Sequence, residues 1–342
     1  MKESHSQAET LDHNHEVISD HIAISNFLLA ERESEVVDAI FRGLSAAQKQ
    51  ISSRFFYDAT GSRLFEEITA LPEYYPTRTE MSILQRVAGD VLSHNHYSDI
   101  VELGSGDCSK ISVLLDACEE KQMNELRYFP VDVSEDAVMK SAEELVDKYP
   151  WLKVHGILAD FMKHLQILPG EGSRLICFFG STLGNLENEE ALDFLRHVKR
   201  SMKKGDALLL GLDMVKDIRV LEKAYNDQQG ITAKFNMNSL QVVNQIAGTN
   251  FDPVNFQHMA FFNPERSRIE MHLKAMKEQV VTSPRFPEKL VIKKGETIHT
   301  ENSRKFTHDD ISELANAADL SIQGIYNDQK NYFSLLQLIC NG

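Results

Sequence analysis

The residues with the clearest chemical potential lie where an apolar run gives way to glycines. Val101-Glu102-Leu103-Gly104-Ser105-Gly106-Asp107 closes the run 98–106 and leads into a helical pattern at 110–120. Gly104 and Gly106 allow a tight turn and let the backbone approach a ligand with no Cβ in between. A dinucleotide turn has the form GxGxxG, with a pyrophosphate on the helix N-terminus. Here the third position is Ser109, and Asp107 would set a carboxylate beside that phosphate, so an NAD-dependent oxidoreductase fits poorly. Two further apolar runs end on acids: Asp132 near the end of 127–134, and Asp160, followed by Phe161, at the end of 153–161. The first carboxylate can accept two ribose hydroxyls; the second can accept an adenine amino group while the ring covers the base.

A Glu-x-Gly-x-Gly turn followed by two acidic strand ends resembles the class I S-adenosylmethionine-dependent methyltransferases, whose cofactor is a sulfonium cation without phosphate. Several other segments carry a narrower resemblance. In order along the chain, FFYDATGSRLFEEITALPEYYPTRTE, VELGSGDCSK, FFGSTLGNL, AYNDQQGITAKFNMNSL, RIEMHLKA and IHTENSRKF are similar to the histidine Nα-methyltransferases that make hercynine for ergothioneine biosynthesis. The resemblance runs from about residue 50 to the C-terminus. It implies S-adenosyl-L-methionine against Gly104, Lys110, Asp132, Asp160 and Phe161. It further implies an L-histidine carboxylate on Tyr74 and Tyr225, and an α-amine at Asn185 beside the backbone of Gly180. The imidazole would lie between Glu301 and Ser303, Met271 would shape that pocket, and Tyr57 would stand near the ring. Asn185 and Tyr57 are thereby the candidate catalytic residues, Tyr57 and Phe56 the candidate aromatic wall, and no metal is implied. The implied reaction is three successive in-line methyl transfers to the neutral α-amine. Another amino acid such as a tryptophan derivative, and a non-catalytic binding protein, are the competing readings.

The same side chains also have plain structural readings. Asn185 could cap the helix that follows, Glu301 could be a solvated carboxylate, and Ser303 a helix-start hydroxyl. Met271 could be ordinary core, Lys110 a surface residue of a first helical turn, and the tyrosines core or interface.

These residues require a scaffold, and the alternation of short apolar runs with helical periods between about 77 and 215 predicts one. It reads as a doubly wound α/β domain with a parallel sheet covered on both faces. After Met214 the rhythm changes to two helices, a strand pair around Asn263-Pro264-Glu265-Arg266-Ser267, and one more strand with a glycine in 289–300. The expected organisation is therefore a tail at 1–20, a class I methyltransferase Rossmann-like domain at 76–216 and 306–342, and a smaller α+β substrate domain at 21–75 and 217–305. Thr307 and Asp310 have capping-box spacing for the helix between, and Tyr74-Tyr75-Pro76 reads as extended, with Gly61 and Pro72 at bends.

Composition narrows the class of partner. The 342 residues hold 51 acidic and 36 basic side chains, net −15, which repels nucleic-acid phosphates and anionic membranes. Four cysteines with no CxxC pair suit a reducing compartment. The polar N-terminal stretch has no apolar signal core, and no run reaches the ~18 apolar residues of a bilayer span. A cytoplasmic monomer with a small-molecule substrate is the expectation.

Overall fold

The structure, a computed structural model, describes residues 14–28, 33–123, 125–165, 168 and 172–340. Among them nine strands form one sheet, in the order Asn14–Val17, Ile22–Asn26, Lys153–Leu158, Arg127–Asp132, Asp99–Leu103, Arg174–Phe178, Ala207–Asp213, Phe333–Cys340 and Leu320–Asn327. The strands Asp99–Leu103, Arg174–Phe178 and Ala207–Asp213 bury every side chain, as strands covered on both faces must. All pairings from Ile22–Asn26 to Ala207–Asp213 are parallel, and Phe333–Cys340 then runs antiparallel. Asp99–Leu103 has Arg127–Asp132 on one side and Arg174–Phe178 on the other, so the strand order reverses there. That switch opens a crevice at the carboxyl ends of the strands, the usual ligand position in such sheets.

Helices pack on both faces. Tyr75–Ser93, Ser109–Asp116 and Glu135–Lys148 share one core with Ile100, Tyr128 and Leu209; Asn188–Ser201 and His308–Ala317 share the other with Val101, Phe129 and Leu208. The Thr307–Asp310 capping box is formed at the start of His308–Ala317. A second, four-stranded sheet has the order Lys49–Gln50, Thr297–Arg304, Arg268–Ala275 and Phe256–Asn263. It packs with the helices Glu33–Ser45, Ala59–Ala70 and Ile231–Ala247 around two further apolar clusters. Among the described residues no helix is long and apolar enough to cross a membrane.

Several expectations need correction. Residues 1–13 lie outside the described residues, but Asn14–Val17, expected in the tail, is a strand. Ile22–Asn26, assigned to the substrate domain, pairs in parallel with Lys153–Leu158 and extends the large sheet. Its sequence, IAISN, is too short to stand out; Ile24 is buried against Leu158, Val138 and Met139, and Ile22 within the larger core on one face of the sheet. Tyr75 is not extended but opens the helix Tyr75–Ser93, with Pro76 in the first turn, where a missing N–H costs nothing. Gly61 lies inside the helix Ala59–Ala70, where a Cβ would come within 1.6 Å of the Phe56 carbonyl oxygen. The expected single strand at 289–300 is two, Leu290–Ile292 and Thr297–Arg304, separated by a turn at Gly295 with φ +84°.

Candidate active site

The strand Asp99–Leu103 delivers the glycine turn to the crevice. Gly104 and Gly106 adopt φ of +68° and +49°, a region that other L-residues enter at ~1–2 kcal/mol. A Cβ on Gly104 would touch the Phe161 ring at 3.5 Å. Asp132 accepts hydrogen bonds from the Gly106 N–H at 3.3 Å and the Ser134 N–H at 3.0 Å, which leaves lone pairs for a diol. Desolvation raises its pKa. Asp160 accepts the Met162 N–H and lies 3.5 Å from Lys163 Nζ. Phe161 leans edge-on against Phe178, with ring centroids 5.4 Å apart. Glu102, beneath the turn, is buried and accepts the Tyr128 hydroxyl at 2.6 Å; burial pushes its pKa up to about 8. Lys110 is committed within the protein: its Nζ is 2.7 Å from the fully buried Glu80, which also accepts the Gly180 N–H at 3.0 Å. The glycine cradle, two acidic strand ends and covering ring fit an adenosyl cofactor without phosphate.

Opposite this crevice, the second sheet brings a different set together. Met271 on Arg268–Ala275 stands directly across from Glu301 on Thr297–Arg304. Met271 is buried in the apolar cluster that holds Tyr74, Tyr225 and Phe235. Tyr74 and Tyr225 meet edge to face at 6.1 Å, and the Tyr57 ring contacts Phe65 and Phe235. Tyr57 feels the charges of Glu301, Tyr225 and Asp132, so its hydroxyl joins the two halves of the site. Burial raises the pKa of Tyr74 and Tyr225, so both remain neutral phenols. Phe56, expected in the wall, is fully buried against Phe235 and belongs to the core.

Asn185 ends the short turn Thr182–Asn185, and its side chain makes no hydrogen bond among the described residues. The capping alternative does not hold, since Glu187 caps the following helix. Gly184 lets this turn approach the Arg304 backbone so closely that a Cβ would sit 2.9 Å from its carbonyl oxygen. That contact places Asn185 beside the strand of Glu301 and Ser303. Glu301 is desolvated, its carboxylate makes no hydrogen bond among the described residues, and its pKa is pushed up to about 7, with Lys305 opposing the rise.

Beneath the pocket lies a buried ionic network that sequence reasoning missed. Lys305 Nζ is 2.8 Å from Asp213 Oδ2 and donates to Ser303 Oγ at 2.7 Å and Tyr225 Oη at 3.1 Å. Tyr225 in turn donates to Ser303 at 2.7 Å. Asp213 also accepts the Tyr75 hydroxyl at 2.7 Å and pairs with Lys216, whose pKa burial pushes down to about 8. The two cations hold the Asp213 carboxyl below its ordinary value against the cost of burial. Asp213 ends the apolar run 207–213, so a third acidic strand end was the available signal; Lys305 had none, being one lysine among many.

The strand order, the crevice at its switch and the phosphate-free adenosyl cradle define a class I S-adenosylmethionine-dependent methyltransferase. The chain belongs to the histidine-specific, S-adenosylmethionine-dependent methyltransferase family, whose profile matches residues 36–340. It is 39% identical over 298 residues to a histidine N-alpha-methyltransferase of Mycolicibacterium smegmatis, spanning 86% of this chain and 92% of that protein. A histidine N-alpha-methyltransferase of Mycobacterium tuberculosis is 38% identical over 86% of this chain and 92% of its own length. Ergothioneine biosynthesis protein 1 of Schizosaccharomyces pombe is 30% identical over 81% of this chain and 37% of that longer protein.

Proposed function

We propose that this chain methylates the α-amine of L-histidine three times, giving the Nα-trimethylated betaine, with Tyr57, Tyr74, Asn185, Tyr225, Met271, Glu301 and Ser303 forming the amino-acid pocket. When bound, S-adenosylmethionine supplies an electrophilic methyl group on a sulfonium. Gly104, Asp132, Asp160 and Phe161 would hold its adenosyl part, while Lys110 acts through Glu80 on the Gly180 backbone.

The protein's task is then to position the substrate and desolvate the site. Tyr74 and Tyr225, kept neutral by burial, can each donate a hydrogen bond to the substrate carboxylate, and the Lys305 ammonium lies behind Tyr225. The uncommitted Asn185 side chain can accept an amine N–H, which aims the lone pair. An ammonium has no lone pair, so the amine sheds a proton before each transfer, to solvent in this account. Tyr57 and Phe65 offer ring faces to the growing cation. Ser303 Oγ already accepts from Tyr225 and Lys305, so its own proton is free for one imidazole nitrogen, while Glu301 accepts from the other.

Glu301 carries this reading. It is a desolvated carboxylate with no hydrogen-bond partner among the described residues, beside a hydroxyl whose acceptor positions are filled. The pair matches the two ring nitrogens of imidazole, whereas indole offers a single N–H. Incubation with S-adenosylmethionine and each amino acid in turn, followed by mass spectrometry, tests it. Methyl groups on histidine support the reading, and methylation of tryptophan with histidine untouched overturns it.

A further inference from the structure

The strands that form the pocket also have an outer face. Glu270 and His272 flank Met271 in sequence and point away from it into a groove that they line with His299, Glu187, Arg266 and Arg268. A ladder irregularity between Met271 and His272 sets His272 opposite His299, and the two rings lie 4.9 Å apart. One ligand atom each from Glu270, His272 and His299 lies within 4.8 Å of the other two.

His272 is 6% exposed, and its buried Nδ1 has no hydrogen-bond partner among the described residues. Its Nε2 lies 3.2 Å from Glu270 Oε2, and His299 Nε2 lies 3.1 Å from the Glu301 carbonyl oxygen. Glu270 Oε2 and His272 Nε2 therefore face each other at a separation that two ligands of one tetrahedral ion can hold, while His299, donating Nε2–H to the Glu301 carbonyl, presents a lone pair at Nδ1, the orientation typical of metal-ligating histidines.

We propose that Glu270, His272 and His299 form a binding site for a divalent transition-metal ion of the zinc class, separate from the methyl-transfer site. The charges around the groove select the type of ion. Arg268 bridges Glu187 at 2.7 Å and Glu270 at 2.9 Å, and Arg266 lies 3.7 Å from Glu187. Two guanidinium and two carboxylate groups cancel, so the groove does not concentrate cations by charge alone. Selection then rests on imidazole donors, which favour zinc, nickel, copper or cobalt over magnesium and calcium. An ion held there would brace the irregular ladder and, through the hydrogen bond from His299 to the Glu301 carbonyl, the strand that carries the pocket carboxylate.

The test is a zinc titration of the full chain, stripped with chelator, by calorimetry, with cobalt absorption as a second readout. A saturable site is expected that binds zinc, gives cobalt ligand-field bands, and shows no heat with magnesium. His272→Ala and His299→Ala should each weaken zinc by more than the about 10–100-fold that loss of an outer-shell partner costs, while retaining S-adenosylmethionine binding as a check on folding. His15 and His155 lie near each other on the large sheet, with ring centroids 5.3 Å apart, so His155→Ala serves as the control that leaves the titration unchanged. Should the histidine variants fail to fold, Glu270→Gln and the wild-type cobalt spectrum decide. No zinc binding by the wild-type chain overturns the proposal, and so does binding retained equally by every cluster variant.

Discussion

Replacing Glu301 with glutamine should make the free enzyme more stable and worse at its reaction. Burial lifts this carboxyl from 4.5 to about 7, only partly opposed by Lys305. At ~1.4 kcal/mol per pH unit, that rise corresponds to ~3 kcal/mol of penalty on the charged form, or about 1–3 kcal/mol after screening of a partly exposed residue. The sign follows from proton linkage: between pH 4.5 and about 7 the unfolded chain has lost this proton and the native chain retains it, so native stability falls as pH rises. Above pH 7 the penalty is constant, and below 4.5 it is absent. Glu301→Gln should therefore raise the melting temperature at pH 8, by roughly 1–2 °C per kcal/mol recovered in a chain of this length, and change it little at pH 4.5. Loss of a charged hydrogen bond to imidazole should lower kcat/KM for histidine by ~1.5–3 kcal/mol, about 10–150-fold. Calorimetry at both pH values, together with steady-state kinetics and S-adenosylhomocysteine binding, checks all three. Unchanged or lower stability at pH 8, or unaltered histidine kinetics with intact cofactor binding, would refute the reasoning.

Other perturbations separate parts of the account. Lys305→Met removes one of the two cations on buried Asp213 and should destabilise the fold by about 3–5 kcal/mol in urea unfolding; pairing it with Asp213→Asn should recover part of that loss. Asn185→Ala deletes a side chain that makes no hydrogen bond among the described residues, so stability should shift by less than about 0.5 kcal/mol, while kcat falls ~10–100-fold through loss of amine orientation. Gly104→Ala forces a Cβ onto a residue at φ +68° against Phe161; it should cost ~1–2 kcal/mol of stability and weaken S-adenosylmethionine in a binding titration.

The α/β core was legible because strands buried on both faces read as unbroken apolar runs, and their acidic ends stand out from them. The four-stranded sheet was legible only in part. Its hairpin at 256–275 has a clear turn, but Thr297–Arg304 mixes polar and apolar residues because one face lines the pocket and the other a groove. Ile22–Asn26 was misassigned since a five-residue strand at 22–26 acquires its burial from a partner some 130 residues away. The resemblance supplied candidate pocket residues one by one but not what lies beneath them. The Lys305–Asp213–Lys216 network joins segments distant in sequence, and nothing local marks a lysine as buried. The ladder irregularity that brings His272 to His299 is likewise a property of pairing, absent from either strand alone.

The central claim is most directly tested by the product itself. The purified chain, given S-adenosylmethionine and an equimolar mixture of histidine and tryptophan, should yield histidine carrying one, then two, then three methyl groups on the α-nitrogen by time-resolved mass spectrometry. Methylated tryptophan with unmodified histidine, or methyl groups on the imidazole instead of the α-amine, would contradict it.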